Sequence, residues 1–317
     1  HLLSNSRFKV KTAALSVLTQ ETQMSKEHHT RQCTPLNRIL TCLVETTEGG
    51  LRSDICSGFL YLSLYVSLYR HEPFSRKKNP ITIATTSCTL VRPNPFSKKR
   101  WDTCSIVGSG GILTNSGCGK MIDSADFVIR CNLPPLENEF HNDVGRKTNL
   151  VTANPSIFMY GSLTGRRGAF ADSLQQYGNS LLLFPCFSFG FTRPVCQRAV
   201  YAIEDMDIPI QPIFINPRYL ERLVKFWESL GLKEYRPSTG LYMTTLALEF
   251  CETVHLYGFW PFSNHPDKLF ALTNHYYNNV PYNRKVHAMP KEFSHLVELH
   301  NKGVLKLHLG DCKSDQV

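Results

Sequence analysis

Several signatures are missing from this sequence, and each absence closes a route. There is no HExxH, so the helix of a zinc peptidase is not present. There is no GxSxG, which leaves nucleophile-elbow acyl chemistry unsupported. No paired CxxC occurs, and neither does a zinc-finger spacing. Long apolar runs are scarce: the one worth testing, residues 55–69, has fifteen residues between Asp54 and Arg70. As a helix it would rise roughly 22 Å, short of the ~30 Å hydrocarbon core. Leu60, Leu62, Leu64, Val66 and Leu68 alternate with Tyr and Ser, which predicts a strand or partly buried hairpin instead. A short anchor in a thin membrane is the other reading, and a signal anchor is otherwise expected upstream of His1 or absent from the chain.

Acidic residues are also short, by nine charges. The deficit is local: residues 1–100 hold fifteen Lys/Arg against six Asp/Glu, whereas residues 101–317 hold twenty of each. A basic segment joined to a neutral domain reads as a solvated linker. No aromatic RNP-type block or basic heptad supports a nucleic-acid partner, and that class is excluded.

What is present is a core. Hydrophobic residues make up 42% of the 317 and charged residues 19%, enough for one large or two ordinary domains. Eleven cysteines are too dilute for a knottin-like scaffold and too many for a casual cytosolic enzyme. Residues 1–95 read as a poorly defined stem, with Pro73, Pro80, Pro93 and Pro95 among basic residues. Residues 96–317 read as one catalytic domain.

From Cys104 onward short apolar runs alternate with helical segments. The pattern predicts strands over 105–107, 127–130, 150–152, 181–184, 213–215, 254–257 and 304–309. Several lack alternation, as strands buried on both faces of a parallel sheet do. Asn216, Pro217 and Gly231 bracket one predicted helix, and Pro290 opens another that runs to Gly303. Repeated β–α units imply an α/β domain, whose ligands collect beyond the carboxyl ends of the strands. Three loops there carry polar or aromatic residues: 131–135, 153–156 and 258–262.

Four short stretches could carry chemistry. Gly108-Ser109-Gly110-Gly111 is either a phosphate-approaching backbone or a tight turn. Ser238-Thr239-Gly240 opens a helix, as an anion site or as simple N-capping. His275 and His287 are candidate proton acceptors, His287 gaining weight from its place just ahead of a helix start. Glu292 either orients His287 or is a first-turn residue favoured by the helix dipole. Asp205-Met206-Asp207 has the form of a divalent-metal motif, but no hydrophobic strand leads into it, and it reads as a solvated acidic turn.

Taken together, the blocks resemble the animal sialyltransferases, most closely the α-2,8 branch. The resemblance runs from about Cys104 to Cys312. It rests on the long motif CSIVGSGGILTNSGCGKMIDSADFVIRCNLPP, the short motif RPSTGLYMTTLALEFCETVHLYGFWPF, the third motif HYYN and the very short motif HAMPKE.

The resemblance implies a GT-A-like, Rossmann-type domain with a mostly parallel sheet. It implies inverting transfer of sialic acid from CMP-sialic acid to a sialylated glycoprotein or glycolipid, without metal or other cofactor. His287 would be the general base and His275 would contact the departing phosphate. Asn132, Ser238, Thr239 and Gly240 would hold CMP, with Trp260 completing the nucleotide pocket and Ser109 beside it. The resemblance also implies bridges Cys104–Cys251 and Cys118–Cys312, and a lumenal Golgi setting behind a type II anchor. Cys131, Cys186 and Cys196 are left as buried free thiols. The chain departs from the family pattern at Ser109, usually Asn, at Asn274, usually His, and at Asn278, usually Asp. It has no Asn-x-Ser/Thr sequon. A catalytically impaired paralogue that binds CMP or sialoglycan is the alternative these departures suggest.

Overall fold

The computed structural model describes residues 69–70, 100–158, 166–186, 192–215, 217–232, 236–280 and 287–312. The predicted hairpin over 55–69, save its last residue, and the stem boundary near 95 lie outside the described residues. Eight strands form one sheet: β1 (Tyr69–Arg70), β2 (Trp101–Val107), β3 (Phe127–Arg130), β4 (Leu150–Thr152), β5 (Leu181–Phe184), β6 (Gln211–Phe214), β7 (Cys251–Tyr257) and β8 (Lys306–His308). Their order is β1-β6-β5-β4-β3-β2-β7-β8. All neighbours run parallel except β1, which pairs antiparallel with β6. Among the described residues the five helices of nine or more residues are α1 (Arg167–Gln175), α2 (Arg193–Asp205), α3 (Pro217–Ser229), α4 (Thr239–Phe250) and α5 (Met289–Asn301).

The unbroken apolar strands are explained by burial on both faces. Side chains alternate sides along a strand, so Ile106, Ile129, Leu150, Leu183 and Ile213 face one core, into which α3, α4 and α5 pack. Val107, Val128, Val151, Leu182, Phe184 and Phe214 face the other, covered by α1 and α2. Strands β3, β4 and β5 have the predicted bounds. Strands β2 and β7 begin several residues early, because Trp101–Thr103 and Cys251–Thr253 are laddered together while carrying exposed or half-buried polar residues.

Two cysteine bridges implied by the resemblance are present, Cys104–Cys251 and Cys118–Cys312. The assignment of Cys186 and Cys196 as free thiols is corrected: they form a third bridge. The chain turns back from β5 into α2 and brings their Cα atoms to 5.9 Å. Cys131 stays free and buried, and burial pushes its thiol up to about 12.

One packing contact has a measurable pH signature. The Tyr219 hydroxyl of α3 donates to Glu249 Oε1 of α4 at 2.6 Å, and burial raises the Glu249 carboxyl to about 7. The folded chain therefore keeps a proton that the unfolded chain releases near pH 4.3. This contribution is complete below pH 4 and is lost as pH rises through 7, roughly 3–4 kcal/mol in all. Glu249→Gln is expected to flatten that part of the pH profile in urea denaturation between pH 4.5 and 7.5. A wild-type slope that survives the substitution would remove Glu249 as its cause.

Candidate active site

The strand order places a switch point between β2 and β7. From β2 the chain builds β3 to β6 on one side, then returns to add β7 and β8 on the other. Successive connections leave the sheet in opposite directions there, which opens a crevice at the carboxyl ends. The loops leaving β2 and β7 meet backbone to backbone. Gly108 donates to the Tyr257 carbonyl at 2.8 Å and Gly110 to the Gly258 carbonyl at 3.1 Å. Gly258 has φ +75°, and a Cβ on Gly108 or Gly110 would stand 2.8 or 2.5 Å from its oxygen. The glycines therefore serve the approach of one strand-end loop to the other, and Gly108 and Gly110 also border the cavity described next.

Beyond this junction lies a cavity of about 840 Å³. Ser109, Asn132, Ser238, Thr239, Gly240, Trp260, His275 and His287 all border it. Asp205 and Asp207 do not: Asp205 ends α2 and Asp207 follows it before β6, at the amino end of the sheet, and Asp205 pairs with Arg167.

Asn132 sits on a strained strand end. It has φ +67° and Leu133 follows at +47°, a left-handed pair that costs of order 1–3 kcal/mol per residue unless its surroundings enforce it. The enforcement is visible. The Asn132 N–H donates to Thr152 Oγ1 at 3.0 Å, and its Oδ1 accepts from the Asn154 N–H at 3.3 Å. Asn154 Oδ1 in turn accepts from the Thr239 hydroxyl at 3.2 Å. This chain of bonds joins the tips of β3 and β4 to the start of α4. The sequence marks Asn154 only as part of the polar loop 153–156, where Asn154-Pro155 alone reads as turn chemistry, and it does not single out Thr152.

Helix α4 starts where Ser238 caps it, Oγ accepting from the Leu241 N–H at 3.2 Å. The amides of Thr239 and Gly240 fall in the first turn, where intrahelical partners are lacking. Gly240 is small because Phe259 lies against it; a Cβ would meet that ring at 2.8 Å. The Ser238 N–H donates to Glu292 Oε1 at 2.9 Å. Glu292 is buried in the first turn of α5, and burial raises its carboxyl despite the Ser238 bonds. It thus pins the cap of α4 and makes no bond to His287, which closes the orienting role. Glu292→Ala is expected to cost about 1–3 kcal/mol, the penalty of an orphaned buried donor. Glu292→Gln keeps an acceptor and should recover most of that in thermal or urea melts; equal losses would contradict the cap.

His287 is oriented from another direction. Its Nδ1 lies 2.8 Å from the Arg236 carbonyl oxygen, so Nδ1 carries the proton and Nε2 the lone pair. Burial pushes the imidazole below its ordinary range, the Arg236 carbonyl raises it and the Arg236 charge lowers it. A neutral imidazole with Nε2 bare can accept a proton.

His275 is stacked on Tyr277 at 5.2 Å between ring centroids, with Nδ1 2.7 Å from Asn278 Oδ1. Trp260 borders the cavity with its ring, while its N–H is satisfied by the Asn264 carbonyl at 2.8 Å and its faces meet Phe262 and Phe293. The Ser109 hydroxyl is turned to the Cys131 carbonyl at 3.4 Å, and its own carbonyl accepts from the Tyr276 N–H at 2.9 Å.

Comparison with known proteins gives a consistent answer. A family model described as Glycosyltransferase family 29 (sialyltransferase) matches residues 64–304. Alpha-2,8-sialyltransferase 8F of Homo sapiens is 42% identical over 221 residues, 69% of this chain and 55% of that protein. Alpha-2,8-sialyltransferase 8E of Rattus norvegicus is 44% identical over 220 residues, 69% and 58% respectively. The Alpha-N-acetylneuraminide alpha-2,8-sialyltransferase of Xenopus laevis is 44% identical over 237 residues, 74% and 66%. The chain thus spans between 55% and 66% of the length of these relatives. A solved mammalian sialyltransferase in complex with Gal-beta-1-3GalNAc-ortho-nitrophenol aligns over 93% of this chain and 92% of its own, at 19% identity and a TM-score of 0.49. With the match covering well over half of its length, the chain belongs to glycosyltransferase family 29, the sialyltransferases.

Proposed function

We propose that this chain transfers sialic acid from CMP-sialic acid to a sialylated glycoprotein or glycolipid, forming an α-2,8 linkage with inversion. One observation carries the reading: a helix start, a strained strand end and a bare imidazole nitrogen border the same cavity at the switch point. The α4 start and Asn132 would hold the nucleotide, the dipole and first-turn amides facing its phosphate. The acceptor hydroxyl would attack the anomeric carbon of the donor as its proton passes to His287 Nε2. The bond from that carbon to the phosphate oxygen would break, and CMP would leave with the electron pair. A phosphate monoester of low basicity can depart on hydrogen bonds and dipole alone, so no metal is invoked.

The three bridges favour an oxidising compartment, and the Golgi lumen behind a type II anchor is the proposed setting. Among the described residues no helix is long and apolar enough to cross a membrane.

The test is incubation with labelled CMP-sialic acid and a panel of sialylated glycolipids and glycoproteins, with desialylated counterparts as controls. Transfer only to sialylated acceptors, unchanged by excess chelator, is expected. Transfer that requires a divalent cation would overturn the metal-free step, and no transfer to any acceptor would overturn the activity.

A further inference from the structure

The segment just ahead of α4 brings one positive charge to the base. The Arg236 carbonyl oxygen lies 2.8 Å from His287 Nδ1, so the two residues meet although 51 positions separate them. Arg236 is exposed and borders the cavity, as do Glu221 of α3 and the buried Glu292 of α5. Among the described residues that border it, Arg236 is the one lysine or arginine. Its charge is felt by the cavity wall. Burial is the largest influence on both His287 and Tyr242, and in each the Arg236 charge acts downward. The guanidinium therefore stands within electrostatic reach of the ring that would take the acceptor's proton.

An α-2,8 bond is made to the C8 hydroxyl of a sialic acid, so the acceptor sugar itself carries a carboxylate. Hydroxyl and carboxylate belong to one sugar, and seating the first at His287 Nε2 brings the second close to the base. Glu221 and Glu292 offer that anion no partner, since like charges repel. An arginine does, because its planar fork matches a carboxylate with two parallel hydrogen bonds. We infer that Arg236 is a specificity-determining residue that binds the carboxylate of the acceptor sialic acid and so seats its hydroxyl on the base. The inference rests on the reading of this cavity as a sialic acid transfer site.

Two other anions would enter the same cavity, the nucleotide phosphate and the carboxylate of the donor sugar. Either one on Arg236 would make it a donor-binding residue, and the kinetics separate these cases. Truncating the side chain leaves the base oriented, because the bond to His287 Nδ1 comes from the backbone carbonyl. The side chain is exposed, so its removal opens no cavity in the core.

The probes are α-2,3-sialyllactose with its free carboxylate and the same sugar with that carboxyl converted to the neutral amide. For the wild type the amide is expected to lower kcat/KM by about 10–100-fold, the worth of a hydrogen bond to a charged group. Arg236→Ala is expected to lose a similar factor on the free acid, mainly as a higher acceptor KM. It should treat acid and amide within about threefold of each other, since the pair is already broken. Arg236→Lys keeps the charge without the fork and should recover part of the loss. In both variants the KM for CMP-sialic acid should stay within about twofold of wild type. A wild type indifferent to the amide, or an Arg236→Ala that still prefers the acid by the wild-type margin, would overturn the inference while leaving the transfer site intact. So would a loss that falls on the KM for CMP-sialic acid. A wild type that transfers to neither probe would overturn the reading of the cavity, and this inference with it.

Discussion

Replacing His287 by Ala is expected to reduce sialic acid transfer by roughly 10²–10⁴-fold, the usual contribution of a positioned general base. The loss should fall on kcat, with CMP affinity within about twofold, because the proposed nucleotide contacts lie on α4 and the β3 tip. The Arg236 carbonyl fixes Nδ1 as the protonated nitrogen, and burial holds the imidazole below its ordinary range. Its neutral form is therefore already dominant at neutral pH. Activity should decline on the acid side only below the ordinary histidine range near pH 6.5. His287→Ala that turns over like wild type, or that loses CMP binding in proportion to activity, would remove the base from the mechanism.

The second large effect is expected from the Cys104–Cys251 bridge. It joins β2 to the junction of α4 and β7 across 147 residues of chain, deep in the core. Removal of a native bridge typically costs 2–5 kcal/mol. For a domain of about 200 residues that corresponds to a Tm lowered by roughly 5–15 °C. The double substitution Cys104→Ala and Cys251→Ala avoids leaving a buried polar group. A melting temperature within about 2 °C of wild type would contradict a stabilising role. The Cys186–Cys196 bridge closes a loop of sequence separation 10, and loop-closure entropy makes the loss in Cys186→Ala with Cys196→Ala the smaller of the two.

The contrast between these bridges also marks what the chain's residues disclose without coordinates. Strands β3, β4 and β5 were legible to the residue because burial on both faces leaves an unbroken apolar run. The α4 start was legible because a cap needs only its own neighbours. Long-range features were not. Nothing local to Glu292 says that its partner is the Ser238 amide, 54 positions away, and nothing local to His287 points to the Arg236 carbonyl. The steric reason for glycine at 108 and 110 was not legible either, because the opposing loop arrives from a strand 150 residues later in the chain. Cys186 and Cys196 come within bridging distance only in the fold. The candidate residues cluster as their motifs implied, while the bonds that orient them had to be seen.

The central claim is that the carboxyl ends of β2, β3 and β4 and the start of α4 form one cytidine monophosphate site facing His287. A crystal structure of the protein with cytidine 5′-monophosphate tests it most directly. The account requires the phosphate at the first turn of α4, the nucleoside against Asn132 and the neighbouring strand tips, and His287 Nε2 open to the space beyond the phosphate. Nucleotide bound away from Ser238-Thr239-Gly240, or His287 with Nε2 sealed by protein, would contradict it.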